Sequence, residues 1–452
     1  METMSANYED RDTLFNFVVK EGNGVKGLID SGISCVPQPF VQPLSERIAT
    51  PNGQRCEAVQ PIDISQLDGP CHTEVAKQIV EAAETLGFFQ KNMETMSANY
   101  EDRDTLFNFV VKEGNGVKGL IDSGISCVPQ PFVQPLSERI ATPNGQRCEA
   151  VQPIDISQLD GPCHTEVAKQ IVEAAETLGF FQVVNHGVSV ELVELLKMSA
   201  HEFFEQPPEN KAVYLKEVSP SKLVKYGTSF VPEKEKAIEW KDYVSMLYTN
   251  DDEALQHWPL QCREVALDFL KSSMAMVKRI VEVLVEDVGV ILEEERMNSL
   301  MGTKMVNMNY YPTCPSPELT IGVGRHSDMG MLTVLLQDGI GGLYVKVDNG
   351  DWLEIPPLNG ALVINVGDTL QILSNGKYKS AEHRVRTTNI GSRVSVPIFT
   401  APNLSEKIGP LPEVVERDGV ARYKEVLFQD YMNNFFSQPH DGKKSLDFAR
   451  AD

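Results

Sequence analysis

The chain has 452 residues, with 41 basic against 64 acidic side chains and a formal net charge of −23. No basic stripe suits a nucleic-acid backbone, so the acidity speaks for solubility rather than for a polyanionic partner. No run of about 18 apolar residues occurs and no charged-then-apolar leader opens the chain, so neither a membrane span nor a secretion signal is expected.

Residues 1–90 recur without a change as residues 93–182. Natural repeat architectures use units of roughly 20–50 residues in three or more drifting copies, so one perfect copy is not a solenoid. It reads as a tandem duplication or a gene-model artefact, with Met93 as the start of the working protein, residues 93–452. Copy two runs on into Val183-Val184-Asn185-His186-Gly187, a buried-strand pattern ending in a turn, whereas copy one ends Gln90-Lys91-Asn92 and restarts. Copy one is expected to lack its strand, to hold one helix from Thr73 to Leu86, and not to fold independently. Counted once across the repeat, the eight cysteines fall to five with no C-x-x-C pattern, which fits reduced thiols in the cytoplasm.

From Met93 to about Val151 the pattern is irregular and rich in Pro and Gly, a leader that wraps a core rather than forming one. A short strand follows at 152–156, then helices at 166–178 and 191–205, the second stopped before Pro207-Pro208. The stretches 225–230 and 239–243 are aromatic-rich and weakly periodic. In the first, Tyr226 beside Gly227 is a candidate substrate-pocket residue, with core packing as the plainer alternative. The longest amphipathic helix spans 264–287, and from Met305 the pattern turns to β, with strand-like runs at 305–311, 324–327, 332–336, 342–347, 361–366, 382–387 and 393–400. Turn signals such as Asp348-Asn349-Gly350 and Ser374-Asn375-Gly376 separate them, and a helix is expected over 422–436. The expected fold class is α+β, a double-stranded β-helix (jelly roll) buttressed by N-terminal and C-terminal helices. Its expected divisions are the duplicate at 1–92, a helical region at 93–300, the jelly roll at 301–402 and a tail at 403–452.

Within the β region, His326 and Asp328 stand two residues apart, and in a strand they would share a face. One imidazole and one carboxylate leave a six-coordinate metal short of ligands, and His383 is the candidate third. Two histidines and a carboxylate make the facial triad of non-haem iron(II) oxygenases, which leaves positions open for a co-substrate and O2; a structural zinc site is closed by four ligands. The inward faces of two sheets are expected to bring the three together. Ten residues past His383, Arg393 and Ser395 form an i, i+2 pair, a guanidinium and a hydroxyl that suit a carboxylate. A lone His-x-Asp is more often a surface pair or a core histidine, so the metal reading rests on the whole set. The other histidines have plainer places: His186 in a turn, His201 in a helix, His257 and His440 beside prolines in loops, and His72 and His164 as one residue counted twice.

The order His-x-Asp, fifty-seven residues to His, then ten to Arg-x-Ser, preceded by Asn309-Tyr310-Tyr311-Pro312-Thr313-Cys314-Pro315, resembles the plant 2-oxoglutarate-dependent dioxygenases. The stretches 322–328, 335–343, 378–385 and 440–444 resemble the coumarin-forming branch of that family. The resemblance implies Fe(II) on His326, Asp328 and His383, and 2-oxoglutarate held by Arg393, Ser395, Tyr311 and Asn309. It also implies O2 as co-substrate, ascorbate as reductant, succinate and CO2 as co-products, and no catalytic residue beyond the iron centre. Phe399 shares the parity of Arg393 and is implied to stack on an aromatic substrate, with core packing as its alternative. The implied reaction is hydroxylation of a small phenolic coumarin, scopoletin at C8 to give fraxetin. Ortho-hydroxylation of feruloyl-CoA is the alternative and would need a basic rim, for which Lys222, Lys225, Lys234, Lys236 and Lys241 are the candidates. A jelly-roll binding protein or an inactive duplicated variant is a third reading. A cytoplasmic monomer without nucleic-acid or membrane partners is expected.

Overall fold

The computed structural model describes residues 100–140, 152–348 and 350–451, with the backbone of 61–62 and 90–91. The chain divides into Met1–Thr95 and Met96–Asp452. In the first unit, β1 (Pro61–Ile62) and β2 (Gln90–Lys91) pair in parallel, Pro61 opposite Gln90 and Ile62 opposite Lys91. The expected helix over Thr73–Leu86 lies outside the described residues.

The leader of the second unit is more ordered than its composition implies. Helix α1 (Arg103–Phe107) is capped by Asp102, whose carboxylate accepts from the Thr105 N–H at 2.8 Å, and it continues as a π turn over Asn108–Lys112. Helix α2 (Gly116–Asp122) points its first N–H groups, those of Val117 and Lys118, at the buried Asp242 carboxylate, at 2.8 and 2.9 Å. Leu106, Val110, Val117, Leu120 and Phe132 then bury against Ile238, Trp240 and Cys314. The leader therefore forms a small core of its own, which the Pro and Gly content conceals because its helices are only one or two turns long.

Strand β3 (Pro153–Asp155) leads through α3 (His164–Thr177) to β4 (Phe180–Val184). These strands pair in parallel with Pro153 opposite Gln182 and Ile154 opposite Val183. Shifted back by 92 positions (153 − 61 = 182 − 90 = 92), this is the register of β1 and β2. Copy one thus carries a strand where the sequence suggests none, two residues long against five in β4.

Next come α4 (Val190–Phe204), β5 (Val224–Thr228), β6 (Asp242–Tyr248) and α5 (Arg263–Asp287). The β region holds β7 (Thr303–Tyr311), β8 (Val323–His326), β9 (Leu332–Gln337), β10 (Leu343–Lys346), β11 (Trp352–Glu354) and β12 (Leu362–Val366). After α6 (Asp368–Leu373) come β13 (His383–Val385) and β14 (Arg393–Ala401). The large sheet runs β3-β4-β12-β9-β14-β7-β6-β5 and the small one β11-β10-β13-β8. Two sheets with helices packed outside one of them make the α+β jelly roll. Along α5, Leu267, Leu270, Val277, Ile280, Val281 and Leu284 recur at three- and four-residue spacing and bury among α3, α4 and the outer face of the large sheet.

The C-terminal helix α7 (Phe428–Phe436) starts six residues later than its apolar pattern suggests. The preceding β16 (Val426–Leu427) is taken up by pairing with β15 (Lys407–Ile408). Among the described residues no helix is long and apolar enough to cross a membrane, and Cys127, Cys163, Cys262 and Cys314 are all unbridged.

Candidate metal and co-substrate site

The antiparallel pairing of β13 with β8 sets His383 directly opposite His326, their rings 4.1 Å apart between centroids. Both histidines therefore come from neighbouring strands of the small sheet rather than from two facing sheets. Asp328 lies just past the end of β8 rather than in it, because the strand stops at His326. The large sheet supplies its support: Thr333 Oγ1 on β9 and Asn365 Nδ2 on β12 donate to Asp328 Oδ2 at 2.6 and 2.8 Å. That leaves Oδ1 facing His326 Nε2 at 3.6 Å and His383 Nε2 at 3.8 Å.

The imidazoles are oriented from behind. His326 Nδ1 donates to the Gly324 carbonyl at 2.8 Å and His383 Nδ1 to the Ala381 carbonyl at 3.2 Å, so each Nε2 lone pair faces inward. Burial, with His383 and His440 beside it, holds the His326 pKa well below the usual histidine range and keeps the ring neutral. One atom from each residue lies within 4.8 Å of the others. Two imidazoles with their Nε2 atoms turned inward and an open carboxylate oxygen fit a divalent metal that keeps its other positions for non-protein ligands.

On the same inward side, β14 lies between β7 and β9, with Arg393 opposite Tyr311, and Ser395 opposite both Asn309 and Gln337. Arg393 is only 1% exposed, and Gln337 Oε1 accepts from its Nη2 at 3.0 Å. Among the described residues its Nε and Nη1 have no hydrogen-bond partner. A buried guanidinium with two open donors is costly unless an anion completes it, so this corner fits a carboxylate. Tyr311 lies under the guanidinium at 5.0 Å, and Phe399 keeps the parity of Arg393 opposite Thr333.

Tyr226 does not reach this side. It pairs with Val244, which pairs with Met308, and all three pack on the helix-covered face, with Tyr226 against Phe203 and Phe204. Alternation along β5 sends Gly227 inward instead, opposite Tyr243 and then Asn309, so Tyr243 is the inward aromatic of this edge. The lysines suggested as a rim are also divided. Lys241 is buried and paired with Glu239 at 3.3 Å, Lys234 donates to the Ser437 carbonyl at 2.6 Å, and Lys225 lies 5.8 Å over the Tyr243 ring.

Glu239 and His440 are parts of the site that sequence reasoning passed over. Glu239 Oε1 accepts from Gly324 N at 2.7 Å and from His440 Nδ1 at 2.6 Å. Burial opposes its ionisation, but Lys241 and His440 hold the carboxyl down at about 2. Nearby, burial pushes the Glu235 carboxyl up to about 7, with Glu239 adding to the effect. The legible signal was the stretch His440-Asp441-Gly442, which looked like family sequence but had no chemistry attached to it.

Two family models match this chain, that of the 2OG-Fe(II) oxygenase superfamily over residues 302–402 and that of the non-haem dioxygenase N-terminal region over 151–265. Scopoletin 8-hydroxylase of Arabidopsis thaliana is 84% identical over 357 residues, covering 79% of this chain and all of the relative. The chain belongs to the 2-oxoglutarate/iron(II) oxygenases. A feruloyl CoA ortho-hydroxylase of Ipomoea batatas is 51% identical over 76% of this chain and 96% of its own length. Among solved structures, JOX2 in complex with 2OG, Fe and JA aligns with a TM-score of 0.66 and 33% identity, over 74% of this chain and 97% of that one. This oxygenase accordingly uses Fe(II) and 2-oxoglutarate, and its substrate is a small molecule.

Proposed function

We propose that this oxygenase hydroxylates a phenolic coumarin, scopoletin at C8 to give fraxetin, with His326, Asp328 and His383 as the iron ligands. What carries the cofactor half of the reading is the Arg393 guanidinium, buried over Tyr311 with two of its nitrogens unpartnered among the described residues. The substrate half rests on the 84% identity with scopoletin 8-hydroxylase. When bound, Fe(II) and 2-oxoglutarate supply the oxidising chemistry: O2 is consumed, succinate and CO2 leave, and one oxygen atom passes to the ring.

The chain's own part is positioning. Thr333 and Asn365 occupy Asp328 Oδ2, so Oδ1 is presented to the metal in one orientation. Arg393 neutralises the distal carboxylate of 2-oxoglutarate, Gln337 fixes the guanidinium plane, and Ser395, Tyr311 and Asn309 add a hydroxyl, a phenol and an amide. Phe399 offers a ring face to the coumarin. No side chain need remove a proton before oxygen transfer, since the phenol oxygen of scopoletin already activates the neighbouring carbon.

Feruloyl-CoA finds no ready basic rim. Lys241 is spent on Glu239, and in a cavity of about 320 Å3 adjoining His440 the cations Lys234, Lys236 and Arg325 stand among Glu138, Glu235, Glu239 and Asp441, with Arg325 paired to Glu138 and Asp441. The working unit is a cytoplasmic monomer of residues 93–452. The test is succinate release by the full-length chain with Fe(II), 2-oxoglutarate and ascorbate, offered scopoletin or feruloyl-CoA, with products weighed by mass spectrometry. Turnover with scopoletin and a gain of one oxygen is expected; coupling to feruloyl-CoA alone would sink the assignment.

A further inference from the structure

Three distant pieces of chain meet behind His326. Gly324, two residues before it, provides the carbonyl that receives His326 Nδ1. The N–H of the same glycine donates to Glu239, on the connection between β5 and β6. Glu239 in turn receives His440 Nδ1 from the C-terminal tail, and the His440 ring lies flat against His326, centroids 4.4 Å apart and planes 22° apart. On its other face His440 stacks on Phe230 at 3.9 Å and 14°. The order of rings is Phe230, His440, His326.

Each support is itself built. Ser229, held at a positive φ of 61°, donates to Glu235, accepts from Glu239 N at 2.9 Å and donates its own N–H to the Lys241 carbonyl at 3.0 Å. A non-glycine residue keeps that conformation only where its surroundings over-determine it. The tail is tied beside His326 by the Arg325–Asp441 ion pair, by Gly442 N on the Arg325 carbonyl at 2.8 Å and by Lys443 on Gln371 at 2.9 Å. Glycine suits both sides of the contact: a Cβ on Gly324 would press on His440 Cβ at 3.0 Å, and Gly442 holds a φ of +67° that side chains rarely adopt.

We propose that Glu239 and His440 are positioning residues for the metal ligand His326, Glu239 fixing the glycine whose carbonyl orients Nδ1 and His440 clamping the ring plane against rotation. This rests on the triad being the metal site. The hold acts on the ligand through the two faces of His440, one against Phe230 and the other against His326. It makes the C-terminal tail part of the metal centre, although the tail lies more than a hundred residues beyond the ligand in sequence.

The test measures Co(II) affinity and the Co(II) absorption spectrum of the full-length chain, without turnover. His440→Phe keeps a stacking ring, and His440→Gln keeps a donor for Glu239 but no ring. The expected result is that the Phe variant binds Co(II) within about twofold of the parent while the Gln variant binds about tenfold more weakly with an altered spectrum, the loss usual for ligand-supporting residues. Gln binding as tightly as the parent, or Phe as weakly as Gln, overturns the clamp. Asp328→Ala serves as the separate control: if it binds Co(II) like the parent, the metal assignment itself fails and the clamp falls with it.

Discussion

Arg393 and Asp328 divide the site's work, and their variants are expected to fail differently. Asp328→Ala removes the carboxylate shared between two imidazoles, and succinate release is expected to fall to background in the coupled assay. Arg393→Lys keeps the charge but loses the fork; losing a charged hydrogen bond of about 1.5–3 kcal/mol raises the half-saturating 2-oxoglutarate concentration about 10- to 150-fold. The rate at saturating 2-oxoglutarate should change far less, and an unchanged half-saturation would refute the role of Arg393. Glu239 makes a pH prediction. Its folded pKa, near 2, lies below the ordinary 4.5, so its contribution to stability is complete above about pH 4.5 and is lost as pH falls toward 2. The stability gap between parent and Glu239→Gln, followed by urea unfolding, should narrow over that window; a gap that widens on acidification would reverse the sign.

At the scale of elements, the leader depends on one large side chain. Trp240 is fully buried, meets Phe132 edge-on at 4.9 Å and donates to the Pro312 carbonyl at 3.0 Å. Trp240→Ala is expected to cost about 3–5 kcal/mol and to open residues 100–140 to limited proteolysis; a leader equally resistant in the variant would show that it is held elsewhere. The jelly-roll strands were readable because β12 and β14 each carry an alternating apolar face, Leu362, Ile364 and Val366 in one and Val394, Val396 and Ile398 in the other, and are bounded by turn residues. His326, Asp328 and His383 were readable because residue type and spacing carry the chemistry. Pairing carries none of that information locally. Tyr226 takes the plainer of its two readings, core packing, because its direction depends on the partners of β5 and not on its neighbour Gly227. His440 looked like a loop residue because its importance comes from a ring more than a hundred positions away.

For the whole molecule, the match with scopoletin 8-hydroxylase spans 357 residues and all of that relative, close to the 360 of residues 93–452 (452 − 92). A chain beginning at Met93 is therefore expected to match the full-length rate and melting temperature, and a large loss of either would give the duplicate a task. The two Arg393 nitrogens left without a partner among the described residues, Nε and Nη1, bear on more than catalysis. A ligand that binds only the folded state stabilises it by mass action, about 2.7 kcal/mol at a hundred times its dissociation constant. Because the carboxylate corner is buried and complete only when occupied, the protein's resistance to heat and proteases should track the supply of 2-oxoglutarate. The lifetime of the enzyme would then rise and fall with the carbon metabolite that it consumes.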